Sequence, residues 1–103
     1  MSLDIDLYTR VYEANITHNL GTMAKAAGIY DCLWRAPENG FTLASQLVEP
    51  LTKGIAKMEA TPKRFKAMNS PNGWGTYENF LPWLERLLDA CIANPDAEVR
   101  TDR

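Results

Sequence analysis

The chain has 103 residues, of which 46% are hydrophobic and 23% charged, the balance of a globular domain with one modest core. Its formal net charge of −2 gives no strong attraction for nucleic acid. No apolar run approaches the roughly 20 residues of a transmembrane helix, and the acidic start MSLDIDLYTR lacks the features of a signal peptide. We therefore predict one cytoplasmic domain, residues 1–103, without a membrane segment.

The N-terminal segment has the alternation of a β-strand. From about residue 3 to residue 13, Leu3, Ile5 and Leu7 alternate with polar neighbours and the pattern continues through Thr9 and Val11. We predict one strand here, with one buried face. A strand and a short partner are marginal alone, so either helices cover the apolar face or a second subunit extends the sheet in a homodimer.

The middle of the chain has the period of amphipathic helices. We predict helices over about 21–35, 43–60, 62–68 and 76–93, with Pro50 kinking or splitting the second. Gly28 weakens the first helix and marks either a kink or a close approach of helices. Thr76 is suited to cap the last helix. Residues 97–101 have the composition of a short strand that pairs with the first. Together these elements predict a single, mainly helical α+β domain.

Polar side chains concentrate where the predicted first strand ends. Asn15, Thr17, His18 and Asn19 lie within five positions, and the N-x-T match to a glycosylation acceptor is set aside because nothing directs secretion. One capping side chain is enough for a helix start. The surplus favours a site for a small polar ligand beside free backbone donors. Helix caps with a partly buried histidine remain the alternative.

A second candidate cluster, Asn72, Trp74 and Tyr77, belongs to the loop before the last predicted helix. Glycines on either side of Trp74 allow a tight turn and leave space around the indole. Trp74 and Tyr77 are suited to stack on a base or to contact a protein partner; alternatively, Trp74 covers the core. We predict that the two clusters meet and line one pocket.

Three motifs connect these clusters: ANITHN at 14–19, AGIY at 27–30 and NGWGTY at 72–77. In these motifs the chain resembles a family of small uncharacterised bacteriophage and prophage proteins, and the resemblance extends over nearly the whole chain. It implies a phage protein of the host cytoplasm, and it implies no activity, cofactor or catalytic residue. The matching residues are Asn15, Thr17, His18, Asn19, Gly28, Tyr30, Asn72, Gly73, Trp74, Gly75 and Tyr77.

Other classes of function have little support in the sequence. The phrase TMAKAAGIYDCLWRA resembles a helix-turn-helix, but Arg35 is the only base in its second half, so specific DNA binding is not predicted. The basic stretch 53–66 is interpreted as a solvated helix face, with nonspecific binding of RNA or DNA as the alternative. Cys32, Cys91 and the single histidine have no metal-site spacing. No catalytic, metal-binding or cofactor motif is found, so an enzyme is not favoured.

Two functional hypotheses remain. In the first, the protein binds a small polar or nucleotide-like ligand: Asn15, Thr17 and Asn19 hydrogen-bond it, His18 bonds it or carries charge, and the 72–77 loop stacks on it. In the second, it is an interaction module that docks on a host or phage protein through Trp74, Trp34 and the basic face.

Overall fold

A three-stranded antiparallel sheet lies at one side of the molecule in a computed structural model that describes residues 2–8 and 12–102. The strands are β1 (Ser2–Tyr8), β2 (Tyr12–Thr17) and β3 (Glu98–Asp102), and β1 is central. The described helices are α1 (Gly21–Ala27), α2 (Tyr30–Leu33), α3 (Ala44–Ala60), α4 (Pro62–Lys66) and α5 (Tyr77–Ala93). The predicted α+β class and the pairing of the C-terminal strand with the first are confirmed.

The predicted strand over residues 3–13 is in fact the start of a hairpin. β1 ends at Tyr8, β2 begins at Tyr12, and the expected strand residues 9–11 lie outside the described part of the chain. Leu3 pairs with Ile16 and Ile5 pairs with Ala14. Both strands alternate with period two, so the pattern alone does not mark the reversal, and no Asn-Gly signal separates them. As a consequence, Asn15 lies inside a strand.

The helices bury the apolar face of the sheet within one subunit. Leu3, Ile5 and Leu7 of β1 are fully buried in a core that includes α3 and α5, which pack along each other. Burying this face therefore requires no second subunit. The outer edge of β3 is covered as well, because the Val99 N–H donates to the Thr42 carbonyl at 2.8 Å. This pairing protects one edge of the sheet from open exposure.

The predicted helix 21–35 is divided at Gly28. Gly28 has a φ of 80°, and the Ile29 N–H donates to the Ala24 carbonyl at 2.9 Å, as at a helix end with a left-handed glycine. Ile29 is buried against α3, where a Cβ on Gly54 would lie 2.4 Å from the Ile29 Cγ2. The glycine thus ends α1, instead of bending or weakening one continuous helix, and lets the chain turn toward α3.

The remaining helices lie close to their predicted positions. α3 runs from Ala44 to Ala60 and contains Pro50 without being split, whereas α4 ends at Lys66, before the predicted residue 68. Thr76 caps α5, since its Oγ1 accepts from the Asn79 N–H at 3.3 Å. Within the described ranges, none of the helices has the length and apolar character needed to cross a membrane.

The two thiols, Cys32 and Cys91, give a first prediction. Both are buried, and burial raises the pKa of Cys32 to about 12 and that of Cys91 to about 11. We expect no reaction with a thiol-specific chromophore in the native protein at mildly alkaline pH, and reaction of both thiols in denaturant. Because folding raises these pKa values, the unfolded thiols lose protons first, and stability should fall as pH rises from about 8.5 toward 12. Rapid native labelling would contradict the burial.

Candidate functional site

The loop between α4 and α5 folds back onto the end of β2. The Asn19 Nδ2 donates to the Trp74 carbonyl at 2.8 Å. Gly75 packs so closely that a Cβ placed on it would lie 3.1 Å from the Asn19 Cβ and 3.3 Å from the Thr17 Cγ2. The two predicted clusters therefore meet in space, as the sequence predicted.

Hydrogen bonds within this loop hold the backbone around Trp74. The Asn72 Oδ1 accepts from the Trp74 N–H at 2.9 Å and from the Ser70 hydroxyl at 2.6 Å. The Ser70 N–H in turn donates to the Gly75 carbonyl at 3.0 Å, which closes the turn. The Trp74 side chain itself is 70% exposed. An aromatic ring is thus presented to solvent from a hydrogen-bonded turn rather than covering the core.

The junction of strand, turn and loop forms a groove of about 570 Å³, here called the junction groove. Six of the seven predicted site residues line it, and Ser2 is the one lining residue that the sequence did not suggest. Ser2 reaches the groove because it pairs with Thr17 across the hairpin, and a single strand over residues 3–13 does not predict this pairing. The lining residues are Ser2, Asn15, Thr17, His18, Asn19, Asn72 and Trp74.

Tyr77 is the predicted site residue that the structure does not bring to the groove. It is buried in the first turn of α5, and its hydroxyl donates to the Met58 carbonyl at 3.3 Å. The ring contributes to the core, with the Lys66 ammonium 5.6 Å from its centroid. Tyr77 is therefore not positioned to stack on a ligand beside Trp74, and that part of the predicted site is corrected.

His18 connects the groove to the interior. Its Nδ1 accepts a hydrogen bond of 2.7 Å from the Trp34 indole N–H, and Trp34 is only 2% exposed. An indole nitrogen only donates, so the Nδ1 carries no proton in this arrangement and the ring N–H is at Nε2. His18 thus has a structural role in addition to lining the groove. Trp34, expected as a docking residue, is buried and stacks on Tyr30 with ring centroids 5.4 Å apart.

The polar surplus at 15–19 has assigned structural partners. Thr17 caps the short 3₁₀ helix His18–Leu20, accepting from the Asn19 N–H at 3.3 Å. The Asn15 Nδ2 donates to the Ser2 hydroxyl at 2.9 Å and also to the Asp4 carboxylate. Asn19 holds the loop, as described above. Helix capping therefore accounts for Thr17 only. The amides of Asn15 and Asn19 instead connect β2 to β1 and to the loop that carries Trp74.

His18 also lines a second groove, of about 780 Å³, which the sequence did not indicate. Lys25 lies over the Tyr30 ring at 4.6 Å from its centroid, and Asp102 of β3 contributes to the lining. Residues between 18 and 34 meet the C-terminal residues 101–102 here. Because these segments are far apart in the sequence, no local motif marks the groove. We call it the Lys25 groove; it is lined by His18, Gly21, Thr22, Lys25, Tyr30, Trp34, Thr101 and Asp102.

Charged side chains also lie on the solvent face of the sheet and on the exposed side of α3. The solvent face of the sheet is mainly acidic, with Asp4 opposite Asp102 and Asp6 opposite Glu13, while Arg100 of β3 lies opposite Asp6 on its other side. Among the described residues, no group of three or more His, Cys, Asp or Glu side chains is arranged to hold a metal ion. In the basic stretch, Lys53 pairs with Glu49 at 2.7 Å on the exposed surface of α3, as expected for a solvated helix face.

The His18–Trp34 hydrogen bond gives a second prediction. We expect His18→Ala to lower the free energy of unfolding by about 1–3 kcal/mol, because the buried indole N–H loses its acceptor. His18→Gln retains an acceptor and should cost less. Urea unfolding of both variants measures this, with the exposed Thr22→Ala as control, expected within about 0.5 kcal/mol of wild type. An unchanged stability in His18→Ala would contradict the structural role.

Comparisons of this chain with protein-family models, with curated proteins and with solved structures gave no match. The resemblance to phage and prophage proteins therefore stays a prediction. The function that follows rests on the geometry and chemistry of the junction groove.

Proposed function

We propose that the protein binds a small polar ligand, nucleotide-like or of comparable size, in the junction groove. The observation that supports this most is the convergence of two polar segments 55 residues apart, joined by the Asn19–Trp74 hydrogen bond. Their side chains line one groove of about 570 Å³, within the range of about 300–1,000 Å³ common for ligand sites. Following the motif resemblance, we propose the cytoplasm of a phage host as its setting.

Several groove atoms are available to a ligand. Within the described residues, the His18 Nε2–H and the Asn72 Nδ2 make no hydrogen bond and can donate. The side-chain oxygens of Asn15 and Asn19 can accept, because their amide nitrogens are the atoms bonded within the protein. The exposed Trp74 ring offers a stacking surface beside them. This set recognises neutral polar groups and one flat or apolar ligand face.

A thermal-shift screen with Trp74→Ala as the matched variant tests this proposal. The panel contains nucleosides, nucleotides, sugars and other small polar metabolites. A ligand at about a hundred times its Kd should stabilise the wild type by about 2.7 kcal/mol. Trp74→Ala should unfold like the wild type without ligand, since the removed side chain is 70% exposed. It should lose most of the ligand-induced shift.

The control variant is Ile92→Ala, which removes another exposed hydrophobic side chain, 58% exposed, from α5. It should retain the full ligand-induced shift. Absence of any shift across the panel, or equal shifts in wild type and Trp74→Ala, would contradict ligand binding in the junction groove.

The exposed indole of Trp74 also favours a second candidate, docking on a host or phage protein. A large aromatic side chain presented by a hydrogen-bonded turn is a common anchor in protein interfaces. Trp34 does not contribute, because it is buried. In this case the small-molecule panel gives no shift, and Trp74→Ala weakens capture of a specific host or phage protein while Ile92→Ala does not.

A further inference from the structure

We infer that the ligand of the junction groove is a neutral saccharide. This inference rests on the proposed function, since it names the ligand class of the same groove. It is carried by three features: the charge of the lining, the mixture of donors and acceptors, and the single exposed aromatic ring.

The lining residues argue against an anionic ligand. None of the described residues lining the groove is Asp, Glu, Lys or Arg. A phosphate or carboxylate placed there would lose hydration without gaining a charge-assisted partner. His18 offers the groove only its Nε2–H, because its Nδ1 accepts from the Trp34 indole. The ammonium of Lys25 belongs to the neighbouring groove, where it lies over Tyr30. The groove therefore suits an uncharged ligand.

The available hydrogen-bonding atoms of the groove include both donors and acceptors. Asn15 and Asn19 offer carbonyl oxygens, whereas Asn72 and His18 offer N–H donors. They come from three different elements, β2, the 3₁₀ helix and the loop, and not from one edge. A nucleobase presents its donors and acceptors in one plane. Sugar hydroxyls point in several directions, and each both donates and accepts, which matches this arrangement.

Trp74 supplies the apolar part of the recognition. Among the described lining residues it is the one Phe, Tyr or Trp, and it is 70% exposed. The face of an indole is negative, so it attracts the polarised C–H groups on the flat side of a pyranose ring. A pyranose needs only one such face, with its hydroxyls then directed at the surrounding amides. Because Tyr77 is buried, the described lining residues offer no second Phe, Tyr or Trp ring opposite Trp74 to enclose a base.

The experiment compares three probe sets on the full chain by calorimetric titration. They are neutral mono- and disaccharides (glucose, galactose, mannose, N-acetylglucosamine, maltose and cellobiose), their 6-phosphates where these exist, and the common nucleosides. We expect at least one neutral saccharide to bind, and its phosphate to bind at least tenfold more weakly. Trp74 fluorescence should become less accessible to acrylamide on binding, since the indoles of Trp34 and Trp83 are already buried.

Two variants locate the binding. Trp74→Ala should weaken saccharide affinity at least tenfold. Asn72→Asp keeps the Oδ1 that accepts from the Trp74 N–H but removes the amide donor, and should weaken it to a similar extent. Thr22→Ala in the Lys25 groove should leave the affinity unchanged.

The outcomes distinguish failure of the saccharide inference from failure of the proposed ligand binding in the junction groove. Nucleosides that bind in a Trp74-dependent manner, with no saccharide binding, would overturn the saccharide inference and retain the proposed function. Saccharide binding that Trp74→Ala and Asn72→Asp leave intact would overturn the inference, because the sugar then binds elsewhere. No binding by any probe, together with a silent metabolite screen, would overturn both.

Discussion

Phe80→Ala is expected to lower the free energy of unfolding by about 3–5 kcal/mol. Phe80 is fully buried on α5, and its ring centroid lies 6.0 Å from that of Trp83. Trp83 in turn donates from its indole N–H to the Asn15 carbonyl of β2 at 3.0 Å. A cavity at Phe80 thus removes packing behind the strand that carries one wall of the junction groove.

Urea unfolding followed by circular dichroism measures this effect against a matched control. Ile92→Ala truncates a 58% exposed side chain on the same helix and should cost less than about 1 kcal/mol. Phe80→Leu retains most of the volume and gives an intermediate loss that stays measurable if Phe80→Ala does not fold. Equal stabilities for Phe80→Ala and Ile92→Ala would show that α5 does not pack with this face toward the core.

Local signals explain why much of the fold is predictable from the sequence. Thr76 precedes a stripe of apolar residues at spacings of three and four, so both the cap and the buried face of α5 follow from residues that are neighbours along the chain. The closing strand β3 was expected at 97–101 and lies at Glu98–Asp102. The positions of these two elements needed no information from distant residues.

The sequence-based predictions are wrong where contacts between residues far apart in the chain determine the local structure. Gly28 lies within a helical pattern, and whether it bends or ends the helix depends on Ile29 packing against Gly54 of α3. The hairpin was missed because β1 and β2 alternate without an obvious turn sequence between them. Local propensity does not distinguish these alternatives, since the competing structures differ in tertiary packing and not in short-range pattern.

Most residues of the junction groove were predictable because local sequence patterns mark them. Residues 15–19 contain more amide side chains than helix capping needs, and Trp74 lies between two glycines. These two local signals indicated two candidate segments, and the structure brings the segments together. Tyr77 was assigned to the site although it continues the stripe of Phe80 and Leu84, which points it inward. The Lys25 groove was missed because Asp102 approaches α1 only through the pairing of β3 with β1.

Gly75→Ala tests the contact that joins the two halves of the junction groove. Gly75 has a φ of 109°, a conformation that costs an alanine about 1–2 kcal/mol. The new Cβ would also lie 3.1 Å from the Asn19 Cβ and 3.3 Å from the Leu20 Cγ, which adds about 1–3 kcal/mol of overpacking. We therefore expect a total loss of about 2–5 kcal/mol and weaker binding in the groove, since the loop must move away from Asn19.

Gly73→Ala is the matched control for Gly75→Ala because it isolates the backbone term. Gly73 has a φ of 76°, and a Cβ there would have no neighbour within 4 Å. It should cost only the about 1–2 kcal/mol of the left-handed conformation. The difference between the two variants in urea unfolding then measures the close approach of the loop to the end of β2. Equal losses would mean that the loop does not pack on Asn19, and the junction groove would lose the wall that Trp74 provides.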